Sequence, residues 1–314
     1  MIDFRYHVVS IVAVFLALAL GLFIGATSLR DSGKGNTAAP TDSLSKVNGS
    51  LRSQNGELKN QTKEAQSTDS ALIPYAVQGR LAGESVVVIS APGIDSGIRT
   101  DILKALPLAG ATVAADIRLQ DHLLDPQQDA FLGTLADQVA IAGRRLPNAS
   151  GSARALALLA DALVTNTPGR PVPLAAATRV LSAFSAGSLL SIAGNSTQPG
   201  RLAVLIAPPA PAAAGPAPGA DRASLLAAFA RDLDANSAGT VVTGAQASDR
   251  PGGLVDLIRG DGTLRSLVST VDDADLPSGI IATVLALREQ TAGHVGSYGT
   301  GRGRDAPLPS PSPN

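Results

Sequence analysis

Few side chains in this 314-residue chain have the types and spacing that chemistry requires. Asp272, Asp273 and Asp275 make a small acidic cluster near an expected strand end. Carboxylates so placed can bind a divalent ion or orient a water. The plainer reading, adopted here, is that Asp275 caps the following helix and its neighbours are solvated. The turn Ala91-Pro92-Gly93 follows a strand and precedes a helix, where a sheet edge can face a ligand, but Pro-Gly there reads as an ordinary turn. Arg144-Arg145 reads as a solvated pair. No G-x-S-x-G elbow, H-E-x-x-H, Walker A or G-x-G-x-x-G sequence occurs. Cysteine is absent, the initiator is the one methionine, and His7, His122 and His294 fall in three different segments. No constellation supports a catalytic claim, and the chain reads as a non-enzyme without a resident cofactor.

Lys+Arg 25 against Asp+Glu 26 leaves no basic excess, which argues against a nucleic-acid partner. With 3% aromatic residues and no tryptophan, stacking platforms and aromatic sugar-binding walls are not expected either. The lack of cysteine excludes a disulfide framework.

What positions the rest is an apolar stretch, Val8–Gly25, with Ser10 its one polar member. As a helix it is about 27 Å long, close to the hydrocarbon thickness of a bilayer. It exceeds the h-region of a secretory signal and lacks a good cleavage site, so it reads as an uncleaved single-pass anchor. Ala13, Ala17, Gly21 and Gly25 recur every four residues, a small-residue stripe that lets two membrane helices pack closely; the general Ala and Gly richness of such helices gives the same pattern. Flanking charge is nearly balanced, but the Ser/Thr/Asn/Gly/Pro-rich, Lys-poor sequence that follows points to an extracytoplasmic body.

A flexible spacer is expected over 27–43, then a stalk over 44–73. Leu44, Leu51, Leu58, Ala65 and Leu72 lie seven apart, with Val47, Gln54, Gln61 and Thr68 at the intervening d-like positions. That is a coiled-coil seam with a good a row and a mostly polar d row. Gly49 and Gly56 weaken it by about 1 kcal/mol each relative to Ala. Either two copies pair through it, or one helix lays its Leu row on its own domain.

Beyond Pro74, expected to end the stalk, helices alternate with short apolar strands: Ser85–Ile89, Ala111–Ala115, Leu202–Ala207, Thr240–Thr243 and a last candidate at Ser266–Val271. Asp95 can cap a helix carrying Ile98, Ile102 and Leu106; Ser152, Pro173, Asp221 and Asp275-x-Pro277 mark the starts of others. The pattern gives an α/β domain of Rossmann-like or flavodoxin-like type over 80–290, and a disordered Gly/Pro-rich tail over 291–314.

The opening MIDFRYHVVSIVAVFLALALG carries a resemblance. Through Arg5, His7, Val9, Ser10, Ala13-Val14-Phe15-Leu16-Ala17-Leu18-Ala19 and Gly21 it is similar to the N-terminus of the actinobacterial MctB-like proteins, described as copper transporters. The resemblance implies the order anchor, helical stalk, α/β body, and a cell-envelope role in copper transport or homeostasis. A related branch, associated with cell-wall remodelling at division, implies the alternative of a coiled-coil scaffold for an envelope partner. Copper sites draw on Cys, Met and His, and here only His122 and His294 remain in the body as weak candidate ligands. Copper is cargo at most, implied by the resemblance and not supported by the ligand residues, with the membrane, a second copy of the chain and an envelope protein as the partners in view.

Overall fold

The computed structural model describes residues 13–22, 38–165, 172–194, 198–211 and 218–310. The chain divides into an N-terminal unit through Ala65 and a body from Gln66 onward. In the first unit, residues 13–22 form a helix, α1, whose large side chains are all exposed. Among the described residues no helix is long and apolar enough to cross a membrane. The other residues of Val8–Gly25 lie outside those described.

Helix α2 (Ala38–Val77) begins inside the expected spacer and runs through Pro74. Proline there costs a backbone hydrogen bond, but the helix continues three residues further because Val77 is fully buried in the body. Tertiary burial overrides the local breaker.

The body is a seven-stranded sheet: β1 (Ser85–Ser90), β2 (Thr112–Leu119), β3 (Leu190–Ala193), β4 (Leu202–Ile206), β5 (Thr240–Thr243), β6 (Ser269–Val271) and β7 (Ser297–Tyr298), in the order β3-β2-β1-β4-β5-β6-β7. All neighbours are parallel except β3, which runs antiparallel along β2. Without that reversed edge strand, the parallel strands follow the flavodoxin-type doubly wound order, plus one, β7, at one edge. Strand β3 had no expectation attached, since Leu190–Ala193 is half-buried at an edge and too short for alternation to show.

Val86, Val87, Val88 and Ile89 are all fully buried, because both faces of the sheet are covered. One face carries α4 (Asp129–Gln138), α5 (Gly151–Leu163), α6 (Leu174–Ala186), α7 (Pro218–Asn236) and α8 (Leu254–Gly260), packed on Val87, Ile89 and Leu205. The other carries the end of α2, α3 (Ser96–Leu108) and α10 (Pro277–Thr291), packed on Val86, Val88 and Val204; α9 (Gly262–Arg265) is a single turn before β6. Asp95 caps α3 by accepting from the Gly97 amide at 2.7 Å. The cap of α5 is Ser150; Ser152 instead donates its hydroxyl to Asp129.

Two expectations fail at the C-terminus. Asp275 does not cap α10: the N-cap is Leu276, with no side-chain bond. Asp272 and Asp273 are not solvated but buried, 0% and 2% exposed. And the segment after Thr291 is not a disordered tail up to Ser310: β7 pairs with β6, and residues 299–307 fold back over the sheet edge. The last crossover is unusual. Helices α7 and α8 carry the chain outward over one face, whereas α10 carries it in the same direction over the other, so β6-α10-β7 has the hand opposite to the earlier units. That is the rare hand for a parallel crossover.

Candidate functional site

In a doubly wound sheet, ligands bind outside the carboxyl ends of the strands where the order reverses. Here β1 leads to β2 on one side while β4 lies on the other, so the switch point falls between β1 and β4. A pocket of about 230 Å³ opens there, lined by Pro92 and Gly93 after β1, Pro208, Pro209 and Pro211 after β4, and Leu226 and Leu254. The turn singled out in the sequence is thus at the sheet's ligand-facing end. The charged side chain in the lining is Arg222, engaged with Asp121 at 2.8 Å. A wall of prolines and aliphatic carbons with one paired guanidinium can hold an apolar group; it presents no acid–base pair or nucleophile.

Two strands further along lies the most polar part of the interior. Arg259 of α8, 3% exposed at its side chain, donates to Thr270 Oγ1 at 2.9 Å, to Asp249 Oδ1 at 3.1 Å and to Asp272 Oδ2. It also donates to the carbonyls of Tyr298 at 2.7 Å and Arg302 at 2.8 Å. Asp272 accepts in addition from the amides of Thr300 and Gly301, and Asp249 from that of Arg302 at 2.6 Å. The glycines of the segment are what permit this. A methyl group at Gly299, whose φ is +118°, would lie 2.3 Å from Asp272 Oδ1; one at Gly301 would lie 2.2 Å from Asp249 Oδ2. Sequence reasoning took Gly-Thr-Gly-Arg-Gly as flexible; the signal it lacked was the buried carboxylate pair those glycines enclose.

Asp273 accepts from Ser278 Oγ at 3.2 Å, while its Oδ1 is buried without a partner. Burial, reinforced by the neighbouring Asp272 charge, raises its pKa to about 6. Burial also pushes Asp249 upward, against the pull of the Arg302 amide and Arg259. Among the described residues no group of three or more His, Cys, Asp or Glu side chains is arranged to hold a metal ion.

The remaining sequence candidates are spread over the molecule. His122 lies in a single 3₁₀ turn after β2 and His294 just before β7, both exposed. Because β2 and β7 run parallel, these histidines stand at opposite ends of the sheet and the fold does not bring them together. Ala13, Ala17 and Gly21 share one face of α1, and Gly25 lies outside the described residues. Along α2, Val47, Leu51, Leu58 and Leu72 are 54%, 51%, 59% and 50% exposed, and Tyr75 continues the d row, also exposed; the side chain of Leu44 is not among those described. On the same helix, within the body unit, Ile73 and Ala76 pack against the core. Within the body unit, then, Leu72 is not buried on its own domain. Arg144 is not simply solvated: it reaches Asn236 at 3.3 Å and Asp161 at 3.4 Å.

Similarity to known proteins covers all of these parts. Residues 1–309 match the family model described as copper transport outer membrane protein, MctB. The chain is 29% identical over 312 residues to the copper transporter MctB of Mycobacterium tuberculosis (strain ATCC 25618 / H37Rv), covering 96% of this chain and 98% of that protein. To the copper transporter MctB of Mycobacterium leprae (strain TN) it is 27% identical over 323 residues, with the same shares covered. From N-terminal segment to final strand, the chain belongs to the MctB family of copper transport proteins.

Proposed function

We propose that this chain is a single-pass cell-envelope protein acting in copper transport, with Val8–Gly25 as anchor, the α/β body outside the cytoplasm, and a stalk paired with that of a second copy. The observation that carries the reading is the end-to-end match to proteins named copper transporters, which includes the anchor and stalk as well as the body. Two features support its parts. The apolar side chains of α1 are exposed, as a lipid-facing helix requires. The described apolar side chains of the seam, Val47, Leu51, Leu58 and Leu72, are exposed, and the natural complement of such a seam is the same seam on another copy.

Copper enters as cargo. With no Cys and with His122 and His294 apart, the body supplies isolated imidazoles, suited to brief contact and not to tight retention. The alternative of a scaffold for cell-wall remodelling finds no support in the relatives' names, all of which are copper transporters. The reading is tested by growth on graded copper. A deletion strain is inhibited at lower copper than its parent, and the full-length chain restores tolerance while a version lacking residues 1–26 does not. Equal tolerance of deletion and parent strains would overturn it.

A further inference from the structure

The strand β7 that closes the sheet has only two residues: it pairs with β6 through the rare crossover hand, and charged side chains supply part of its attachment. Asp272, Asp249 and Arg259 bind the amides of 300–302 and the carbonyls of Tyr298 and Arg302. Two of the three buried carboxylates here, Asp249 and Asp272, pair with the one guanidinium; Asp273 does not. A methyl at Gly299 would lie 2.3 Å from Asp272 Oδ1 and 3.0 Å from Asp273 Oδ1, so both oxygens converge on the same point of the strap backbone. One of them, Asp273 Oδ1, has no hydrogen-bond partner. An ionised carboxylate there carries an unpaired buried charge, which costs far more than the neutral, protonated group.

We propose that residues 297–306 form a proton-controlled strap: with Asp273 protonated it is clasped over the carboxyl ends of β5 and β6, and ionisation of Asp273 loosens it. The charged groups around Asp273 make the direction unambiguous. Its own loop contributes Asp272 and Asp275, both acidic. Helix α10 contributes only the Ser278 hydroxyl at hydrogen-bond distance. The 3₁₀ turn before α8 contributes Asp249, and α8 contributes Arg259, whose fork is spent on Asp249, Asp272 and the strap carbonyls, with Asp256 adding a further negative charge near Asp249. On the strap, Arg304 is turned back to the carbonyls of Thr300 and Gly301, Asp305 is paired with Arg265, and Tyr298 with Glu289. The Arg302 side chain is exposed, and among the described residues no cation pairs with Asp273. The raised pKa of about 6 agrees with that geometry.

Amide hydrogen exchange of the full-length chain in detergent tests this, read as protection factors for Thr300, Gly301 and Arg302 so that the intrinsic pH dependence of exchange is removed. A carboxyl that titrates near 6 when clasped and near its ordinary value when released predicts about tenfold lower protection at pH 7 than at pH 5. Asp273→Asn should be equally protected at both. In Ser278→Ala, which removes the hydroxyl that favours the ionised form, the midpoint should move to higher pH. Flat protection in the natural chain, an Asp273→Asn variant that keeps the natural pH course, or an unmoved midpoint in Ser278→Ala would each overturn the proposal.

Discussion

Replacing Arg259 by methionine is the sharpest perturbation of the body. The guanidinium makes five hydrogen bonds to Thr270, Asp249, Asp272, Tyr298 and Arg302, and its side chain is 3% exposed. Methionine fills much of the same volume but leaves Asp249 and Asp272 buried without their cation. Breaking a buried pair from one side costs about 3–5 kcal/mol. For a body of this size each kcal/mol lowers the melting temperature by about 2–4 °C, so Arg259→Met is expected to melt about 6–20 °C below the natural chain at pH 7.5. The assay is thermal unfolding of the full-length protein in detergent, followed by far-ultraviolet circular dichroism. Arg231→Met is the control: that arginine is half exposed and pairs with its neighbour Asp232 on the surface of α7, so its loss costs at most about 1 kcal/mol. If Arg259→Met melts with Arg231→Met, the network at the ends of β5 and β6 is not what holds the C-terminal segment, and the reasoning fails.

Three further outcomes follow from the same structure. Asp273→Asn should stabilise the body at neutral pH: a carboxyl whose folded pKa lies near 6, above its unfolded value, costs stability as pH rises through that window, by up to about 3 kcal/mol, and urea unfolding at pH 7.5 and pH 4 should show the gain only at the higher pH. Gly301→Ala places a methyl 2.2 Å from Asp249 Oδ2 and 2.6 Å from Asp272 Oδ2, so it should lower the midpoint of the same unfolding curves by about 2 kcal/mol or more. Leu51→Asp with Leu58→Asp should convert the full-length protein from dimer to monomer in light scattering, with the body's melting temperature unchanged; a dimer that survives both changes is not built on this seam.

Much of this architecture was legible in the residues. Val86–Ile89 and Leu202–Ile206 read as central strands because a two-face-buried strand is apolar at every position, and they are. Asp95 capped its helix as its position required. What was not legible depended on partners distant in sequence. Asp272 and Asp273 looked solvated because nothing near them shows that Arg259 and the amides of 300–302 will enclose them. The glycines of 299–303 looked like a linker because the reason for them, carboxylates too close for any Cβ, is tertiary. Pro74 looked like a helix end because the burial of Val77 could not be foreseen. For the candidate site, the Pro92 turn, which reads foremost as an ordinary turn, lies after β1 in the lining of the pocket, and the neighbouring prolines come from a stretch that reads only as loop. The seven-residue Leu row, by contrast, could be found from spacing alone; the exposure of its side chains could not.

The most direct test of the copper-transport reading is an efflux measurement. Cells loaded with radioactive copper and transferred to copper-free medium would be followed for loss of label in the parent, a deletion strain, and the deletion strain carrying either the full-length chain or the chain without residues 1–26. The reading predicts slow efflux in the deletion strain, restored by the full-length chain and not by the truncated one. Identical efflux in all four strains would contradict it.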